Sequence, residues 1–211
     1  MHPRQGLIDC YSSPGMRINV CLRFTHNRIP SMEEYIVFLR GINVSGKNLI
    51  KMDDLRALLS GNGYQNVASY IQSGNLIFRS APLPETQLEN RISQLIHDNF
   101  GFSVPVFVLN LDELKRVVAA NPFLTRENKP EDFLHLTILK NLSPPAQDNN
   151  ETQLLEDGVE HAIITGNYIY LFLPDGYGNA KFNNVYFEKK FKVPATTRNW
   201  KTIKKMLSIR Q

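Results

Sequence analysis

The feature that most constrains the fold of this 211-residue chain is an alternation of strand-like and helix-like segments between residues 35 and 109. Tyr35–Leu39 is a short run of apolar and aromatic side chains, which is typical of a buried strand. Met52–Leu59 and Glu85–Phe100 instead repeat leucine and isoleucine at helical spacing. Three more strands are expected at Val67–Ile71, Leu76–Arg79 and Val104–Leu109. The resulting order, βαββαβ, predicts a ferredoxin-like lobe in an α+β protein.

The second half of the chain predicts a smaller α+β lobe of the order βαββ, followed by helices. A strand is expected at Leu134–Leu139, a short helix at Glu151–Asp157, and a hairpin around the turn Gly166-Asn167. The other segments are a loop at Ser143–Asn150, hairpin strands at Val159–Thr165 and Tyr168–Leu173, and helices at Asn184–Phe191 and Asn199–Ile209. Residues 1–31 are interpreted as an extension outside the core fold, 32–124 as the ferredoxin-like lobe, and 125–211 as the C-terminal lobe, with both lobes in one unit.

Charge is unevenly distributed, although the formal net charge is only +4. Residues 1–31 hold four arginines against one acidic residue, Asp9. The segment after Glu188 contains eight basic residues and no acidic one. These are Lys189, Lys190, Lys192, Arg198, Lys201, Lys204, Lys205 and Arg210. A basic C-terminal helix can bind phosphate or nucleic acid, but lysines on a solvated helix face give the same pattern.

Both cysteines, Cys10 and Cys21, lie in the extension. The rest of the sequence therefore offers no thiol nucleophile, no cysteine zinc site and no disulfide. A reducing, cytoplasmic location fits this cysteine usage. No apolar run approaches the roughly 20 residues of a membrane helix, and we expect no membrane partner.

Three stretches next to the predicted elements are rich in Arg, Lys, Asn, Gln and hydroxyl side chains and contain no carboxylate. They are Arg40–Lys47, Gln72–Asn75 and Thr196–Trp200. In a βαββαβ lobe the first and third strands are antiparallel neighbours, so the end of one abuts the start of the other. We therefore expect the first two stretches to meet. The third precedes a helix, whose N-terminus favours anions.

These stretches predict one anion-facing site. The ligand-binding candidates are Arg40, Asn43, Gln72, Ser73, Asn75, Lys181, Thr197, Arg198, Asn199 and Trp200. Arg40 and Arg198 would clamp a phosphate or carboxylate with their planar forks, and the amides and hydroxyls would orient it. Lys181 would add a cation and Trp200 a stacking surface. The competing interpretation is that the polar residues cap turns and helices, that Lys181 is a surface residue, and that Trp200 anchors the last helix.

Several known motifs fit poorly. Gly41–Lys47 matches the first seven positions of a P-loop, but Asn48 stands where Ser or Thr must hold magnesium. The RNA-recognition module shares the βαββαβ order, but its run of exposed aromatic residues is missing from the third strand. The five histidines are scattered without metal-ligand spacing. We expect neither a metal nor a cofactor.

Three motifs in order nevertheless match a known family. Leu39-Arg40-Gly41-Ile42-Asn43-Val44, Tyr70-Ile71-Gln72-Ser73-Gly74-Asn75 and Thr197-Arg198-Asn199-Trp200-Lys201-Thr202 resemble the signature of the bacterial "domain of unknown function 1697" family. The resemblance runs from about Met32 to the C-terminus. It implies an α+β fold with a ferredoxin-like N-terminal part, and it brings no established activity. The family often has Gly at Ser45, and Ser-Lys-Leu at Ala180-Lys181-Phe182.

Three functional hypotheses remain open at this point. The first is a cytoplasmic protein that binds an anionic small ligand, such as a nucleotide, in a cleft between the lobes. The second is a nucleic-acid-binding protein that uses the basic C-terminal helix. The third is a structural or interaction module in which the polar loops only hold the lobes together. The sequence does not decide whether the protein is an enzyme, nor its oligomeric state.

Overall fold

The computed structural model of the chain describes residues 31–125, 127, 129–140 and 152–209. Within it, the chain from Ser31 onward forms one compact unit. The predicted extension (apart from Ser31) and the predicted loop at Ser143–Asn150 lie outside the described residues.

The first half builds a four-stranded antiparallel sheet covered by two helices. In chain order its elements are β1 (Glu33–Leu39), α1 (Met52–Gly61), β2 (Gln65–Tyr70), β3 (Asn75–Ser80), α2 (Glu85–Phe100) and β4 (Val106–Asn110). The strand order is β2-β3-β1-β4. From Tyr35 to Leu39, β1 is apolar because both of its faces are buried: Tyr35 and Val37 face the two helices, and Ile36 and Phe38 face the other side.

The pairing of β1 with β3 brings the first two polar stretches together, as the sequence predicted. Phe38 lies opposite Asn75 in the register, and the backbone N–H of Leu39 donates to the carbonyl of Gly74 at 2.8 Å. Gly74 has φ of +74°, and a Cβ there would lie only 2.7 Å from the Cβ of Leu39. Glycine is therefore required at this turn for both its conformation and its size.

The second half builds a five-stranded antiparallel sheet in the order β6-β7-β8-β5-β9. Its strands are β5 (Leu134–Leu139), β6 (Gln153–Asp157), β7 (Glu160–Thr165), β8 (Tyr168–Phe172) and β9 (Ala195–Asn199). The helices of this half are α3 (Leu111–Ala119), α4 (Pro122–Thr125), α5 (Asn184–Phe191) and α6 (Trp200–Ser208), with 3-10 turns at Glu131–Phe133 and Tyr177–Asn179.

Two predicted details of this half are wrong. The helix expected at Glu151–Asp157 is strand β6, which pairs with β7 through a turn at Gly158. The segment before the last helix, where no strand is predicted, is strand β9, which pairs with β5. Both strands lie at sheet edges. The side chains of β6 are mostly exposed, and β9 is mostly polar in sequence, so neither strand carries a hydrophobic pattern to recognise.

Three apolar clusters hold the layers together. The first lies between the first sheet and helices α1 and α2. The second fills the space between the two sheets, where α3 and α6 insert Leu114, Trp200 and Ile203. The third lies on the outer face of the second sheet, beneath α5 and Phe182. Burial of Trp200 between the sheets makes α6 part of the core.

The fold is thus α+β, with two antiparallel sheets and helices packed on and between them. The ferredoxin-like description of the first sheet stays a prediction. None of the helices in the described parts of the chain is long and apolar enough to cross a membrane.

Candidate functional site

Arg198 on β9 lies at the centre of the contact between the two sheets. Its guanidinium group has five N–H donors, and hydrogen bonds engage all three of its nitrogens. Nε donates to Asn75 Oδ1 (2.5 Å), Nη1 to Thr196 Oγ1 (2.9 Å) and the Thr197 carbonyl (2.9 Å), and Nη2 to the carbonyls of Leu39 (2.7 Å) and Ser73 (3.1 Å). The guanidinium carbon also lies 5.2 Å from the centre of the Phe38 ring. The nitrogens of Arg198 that were expected to bind a ligand therefore donate to acceptors of the protein.

Asn75 orients this arrangement from the first sheet. It is completely buried, and its Nδ2 donates to the Tyr70 carbonyl and to Ser73 Oγ, both at 3.0 Å. These bonds fix the amide so that its oxygen points at Arg198. Ser73 and Asn75 thus stabilise the turn and accept hydrogen bonds from Arg198.

Arg40 follows β1 and is also engaged across the sheets. Its guanidinium donates to the Ala195 carbonyl at 2.5 Å and forms an ion pair with Glu188, with an Nη1–Oε1 distance of 2.8 Å. Glu188 Oε1 in turn accepts from the backbone N–H of Ala195. The acidic partner lies 148 residues further along the chain, so no local sequence pattern could reveal it.

Asn43 organises the loop after β1. Its Oδ1 accepts from the backbone N–H of Ile50 at 2.8 Å, and its Nδ2 donates to the carbonyls of Ile50 and Gln72. The loop contains three non-glycine residues with positive φ: Asn43, Ser45 and Asn48. The near-P-loop is therefore a tight turn, closed by a bridge between Val44 and Lys47, and not a phosphate cradle ahead of a helix.

The third motif divides between β9 and the start of α6. Thr197 Oγ1 bonds to Thr137 Oγ1 and Asn184 Oδ1, both at 2.7 Å, on the outer face of the second sheet. Asn199 caps α6 by accepting from the N–H of Thr202 at 2.8 Å. Trp200 is 1% exposed and packs in the core between the sheets.

Lys181 makes its polar contacts with Asp157 and Glu160, and not with the other candidate residues. It forms an ion pair with Asp157 at 2.8 Å, and its side chain is 56% exposed. Hydrogen bonding to this carboxylate raises the pKa of Lys181. Its backbone and that of Phe182 donate to Glu160, so the segment is fastened to the second sheet.

An open cleft of about 270 Å³ lies where the start of α1 meets the turn between β2 and β3. Of the predicted residues only Gln72 lines it. The others are Lys51, Met52, Asp53, Arg56, Ser69 and Ile71. Arg56 Nη1 donates to Ser69 Oγ at 2.5 Å, and its Nη2 pairs with Asp53 one turn earlier on the helix. Ile71 holds a positive φ of +51°, which is unfavourable for a β-branched residue.

The sequence reasoning missed Lys51, Arg56 and Ser69. The i, i+3 spacing of Asp53 and Arg56 is the available signal for a fixed cation at this end of α1. Ser69 offers no such signal, because only the β2–β3 pairing and the packing of α1 on β2 place it beside Arg56.

Metal-binding groups and titratable groups with shifted pKa values do not coincide with the cleft beside Gln72 in the described residues. Within the described residues, no group of three or more His, Cys, Asp or Glu could hold a metal ion. Burial lowers the pKa of His135, which stacks on Tyr177 with ring centres 5.5 Å apart. Burial also raises the pKa of Glu89, whose carboxylate lies 3.3 Å from Lys140 Nζ. Neither group lines the cleft beside Gln72.

One solved structure similar to this chain is that of the conserved bacterial protein SP0830 from Streptococcus pneumoniae. The superposition has a TM-score of 0.64 at 23% sequence identity, and it covers 84% of this chain and 98% of that one. At this identity the likeness concerns the fold alone. Among curated proteins, none matches the sequence. The family model described as "Protein of unknown function (DUF1697)" matches residues 32–170, which is more than half of the chain, and the chain therefore belongs to this family.

Proposed function

We propose that the protein binds a small phosphate-bearing ligand in the cleft beside Gln72. Lys51 and Arg56 would supply the positive charge, and Gln72 and Ser69 would supply hydrogen bonds. The observation that carries the proposal is the convergence of these four side chains on one cleft of about 270 Å³.

The arrangement of Arg56 supports a role in recognition. Its side chain is 34% exposed, and Ser69 holds one arm of the guanidinium in place. A guanidinium group held in this way loses little conformational entropy when it binds a phosphate. Lys51 is exposed at the edge of the cleft and would act as a mobile second cation.

Asp53 gives the proposal a sharp test because it competes for the same cation. Its side chain is 84% exposed, and ion pairs so open to solvent are typically worth less than about 1 kcal/mol. A doubly charged phosphate can therefore displace it from Arg56. Removing the carboxylate should help an anionic ligand, since it removes both the competitor and a nearby negative charge.

Arg40, Asn43, Ser73, Asn75 and Arg198 would act in this proposal as the frame of the cleft. Asn43 binds the carbonyl of Gln72, and Arg198 binds that of Ser73. Together they hold the turn that carries Gln72 against the start of the loop. The clamp predicted for Arg40 and Arg198 is replaced by Lys51 and Arg56.

The test is isothermal titration of the full chain with inorganic phosphate, a nucleoside monophosphate and a nucleoside triphosphate. We expect saturable binding, weakened about tenfold or more by Arg56→Gln, since a charge-assisted hydrogen bond contributes about 1.5–3 kcal/mol. Asp53→Asn should bind more tightly than the wild type. Lys201→Gln on α6 is the matched control, because it removes an exposed lysine elsewhere and should change nothing.

Equal binding by Arg56→Gln and the wild type would overturn the proposal. A short single-stranded RNA belongs in the same titration. Binding of RNA that is lost in Lys201→Gln and fades steeply with salt would instead favour the basic C-terminal helix. No response to any of these probes would favour the third hypothesis, in which the polar motifs only join the sheets.

A further inference from the structure

A second and larger cleft, of about 590 Å³, lies on the helical side of the first sheet. It is bounded by the end of α1, the residues after β3 and the outer face of α2. Its volume falls within the range of about 300–1,000 Å³ that is usual for small-molecule sites. It shares no lining residue with the cleft beside Gln72.

The floor of this cleft is apolar. Met32, Leu83 and Leu95 line it, and Leu83 and Leu95 pack against the core between the first sheet and its helices. Tyr64 is 7% exposed, and its ring packs against Phe78 with a centroid distance of 4.5 Å and an angle of 51° between the ring planes. The ring is therefore held rigidly in the wall of the cleft.

Two hydrogen-bond donors lie in the same wall. Tyr64 and Arg91 both line the cleft. Burial raises the pKa of the Tyr64 hydroxyl, and the positive charge of Arg91 partly opposes this rise. Among the described residues, Arg91 has no acidic group within ion-pair distance. A neutral hydroxyl and a cation that line the same cleft are suited to a carboxylate.

We propose that this cleft binds an amphipathic carboxylic acid, with its carboxylate on Arg91 and Tyr64 and its hydrocarbon body on Met32, Leu83 and Leu95. The site is independent of the phosphate site proposed above. Charge complementarity sets the orientation, and the apolar floor supplies most of the favourable free energy of binding.

The test uses decanoate, below the concentration at which it forms micelles, and decanol as the uncharged probe of the same length. Binding to the full chain is followed by two-dimensional NMR and by calorimetry. We expect saturable decanoate binding, with amide shifts concentrated around Asn62–Gln65 and Ser80–Leu83. Decanol should bind at least about tenfold more weakly, because it cannot use the cation.

Three variants decide the outcome. Arg91→Gln should weaken decanoate binding about tenfold and leave decanol binding unchanged. Tyr64→Phe removes only the hydroxyl and keeps the ring contact with Phe78, so it should weaken decanoate binding by a smaller factor. Arg116→Gln, which changes an exposed arginine on α3, is the matched control and should bind as the wild type does.

Equal affinity for decanoate and decanol, or unchanged decanoate binding in Arg91→Gln, would overturn the proposal. Arg56→Gln separates the two sites: it should weaken phosphate binding about tenfold or more and leave decanoate binding intact. Thermal unfolding of each variant, measured alongside, verifies that a lost response does not come from a lost fold.

Discussion

Arg198 shows how a single residue can look like a binding group in sequence and act as a structural one. Its hydrogen-bond partners are carbonyls, a hydroxyl and an amide, all neutral. Burial lowers the pKa of Arg198 to about 10, so it is still protonated at neutral pH. The charge is stabilised by oriented dipoles and by the face of Phe38. Loss of the guanidinium would leave these acceptors buried without donors.

Arg198→Met should therefore destabilise the protein by roughly 3 kcal/mol or more, since each unsatisfied buried acceptor costs about 1–3 kcal/mol. The measurement is urea unfolding followed by circular dichroism. Arg116→Met, at an exposed position on α3, is the control and should stay within about 0.5 kcal/mol of the wild type. A stable Arg198→Met protein that has lost phosphate binding would restore Arg198 as a ligand group.

At the scale of elements, the junction of β9 and α6 explains why the third motif resembles a binding loop. β9 pairs with β5 along its length and leads directly into α6, with Asn199 as the boundary residue. Strand pairing, a helix cap and a buried tryptophan all require specific residues here, and the requirements fall on adjacent positions. The density of polar residues thus follows from the connection between strand and helix.

Asn199→Ala tests this interpretation of the junction. It removes the acceptor for the N–H of Thr202 and should destabilise the protein by about 1 kcal/mol, as loss of a helix N-cap does. Asn199→Asp keeps an acceptor and should restore that stability. Thermal unfolding measures both. A variant that keeps full stability but loses ligand binding would contradict the capping role.

At the scale of the whole molecule, the two sheet layers are joined by ion pairs as well as by the core between them. Lys140, after β5, lies 3.3 Å from Glu89 on α2 and also donates to the Val106 carbonyl. Arg40 forms the corresponding link to Glu188. Glu89 is 7% exposed, and its Oε1 accepts from the backbone N–H of Val108. Burial raises the pKa of Glu89 more than Lys140 lowers it.

The raised pKa of Glu89 predicts a dependence of stability on pH. Because the folded protein holds this proton more tightly than the unfolded chain, Glu89 contributes stability below its ordinary pKa of 4.5. That contribution is lost as the pH rises through the raised pKa. Glu89→Gln should remove this component. Urea unfolding of both proteins between pH 4 and pH 7 measures it, and an identical pH dependence would show that Glu89 does not titrate in this range.

The sequence by itself determined the order of elements in the first half, and with it the meeting of Arg40–Lys47 with Gln72–Asn75. The order of elements rests on the hydrophobic periodicity of each short segment. The pairing of β1 with β3 follows from that order, because the two strands are neighbours in a βαββαβ lobe. Family membership followed from the same stretches. The tightly turned hairpin at Gly166-Asn167 was recognisable for the same reason, since its glycine must adopt a positive φ.

Only the tertiary structure decided which polar groups are free. Arg198 meets Asn75 across 123 residues and Arg40 meets Glu188 across 148, so whether each donor is satisfied depends on contacts that no local pattern records. The same holds for the two clefts, whose walls come from separate elements, and for β6 and β9, whose edge positions weaken the hydrophobic pattern. Residue chemistry is local, whereas the satisfaction of buried polar groups is a property of the folded chain.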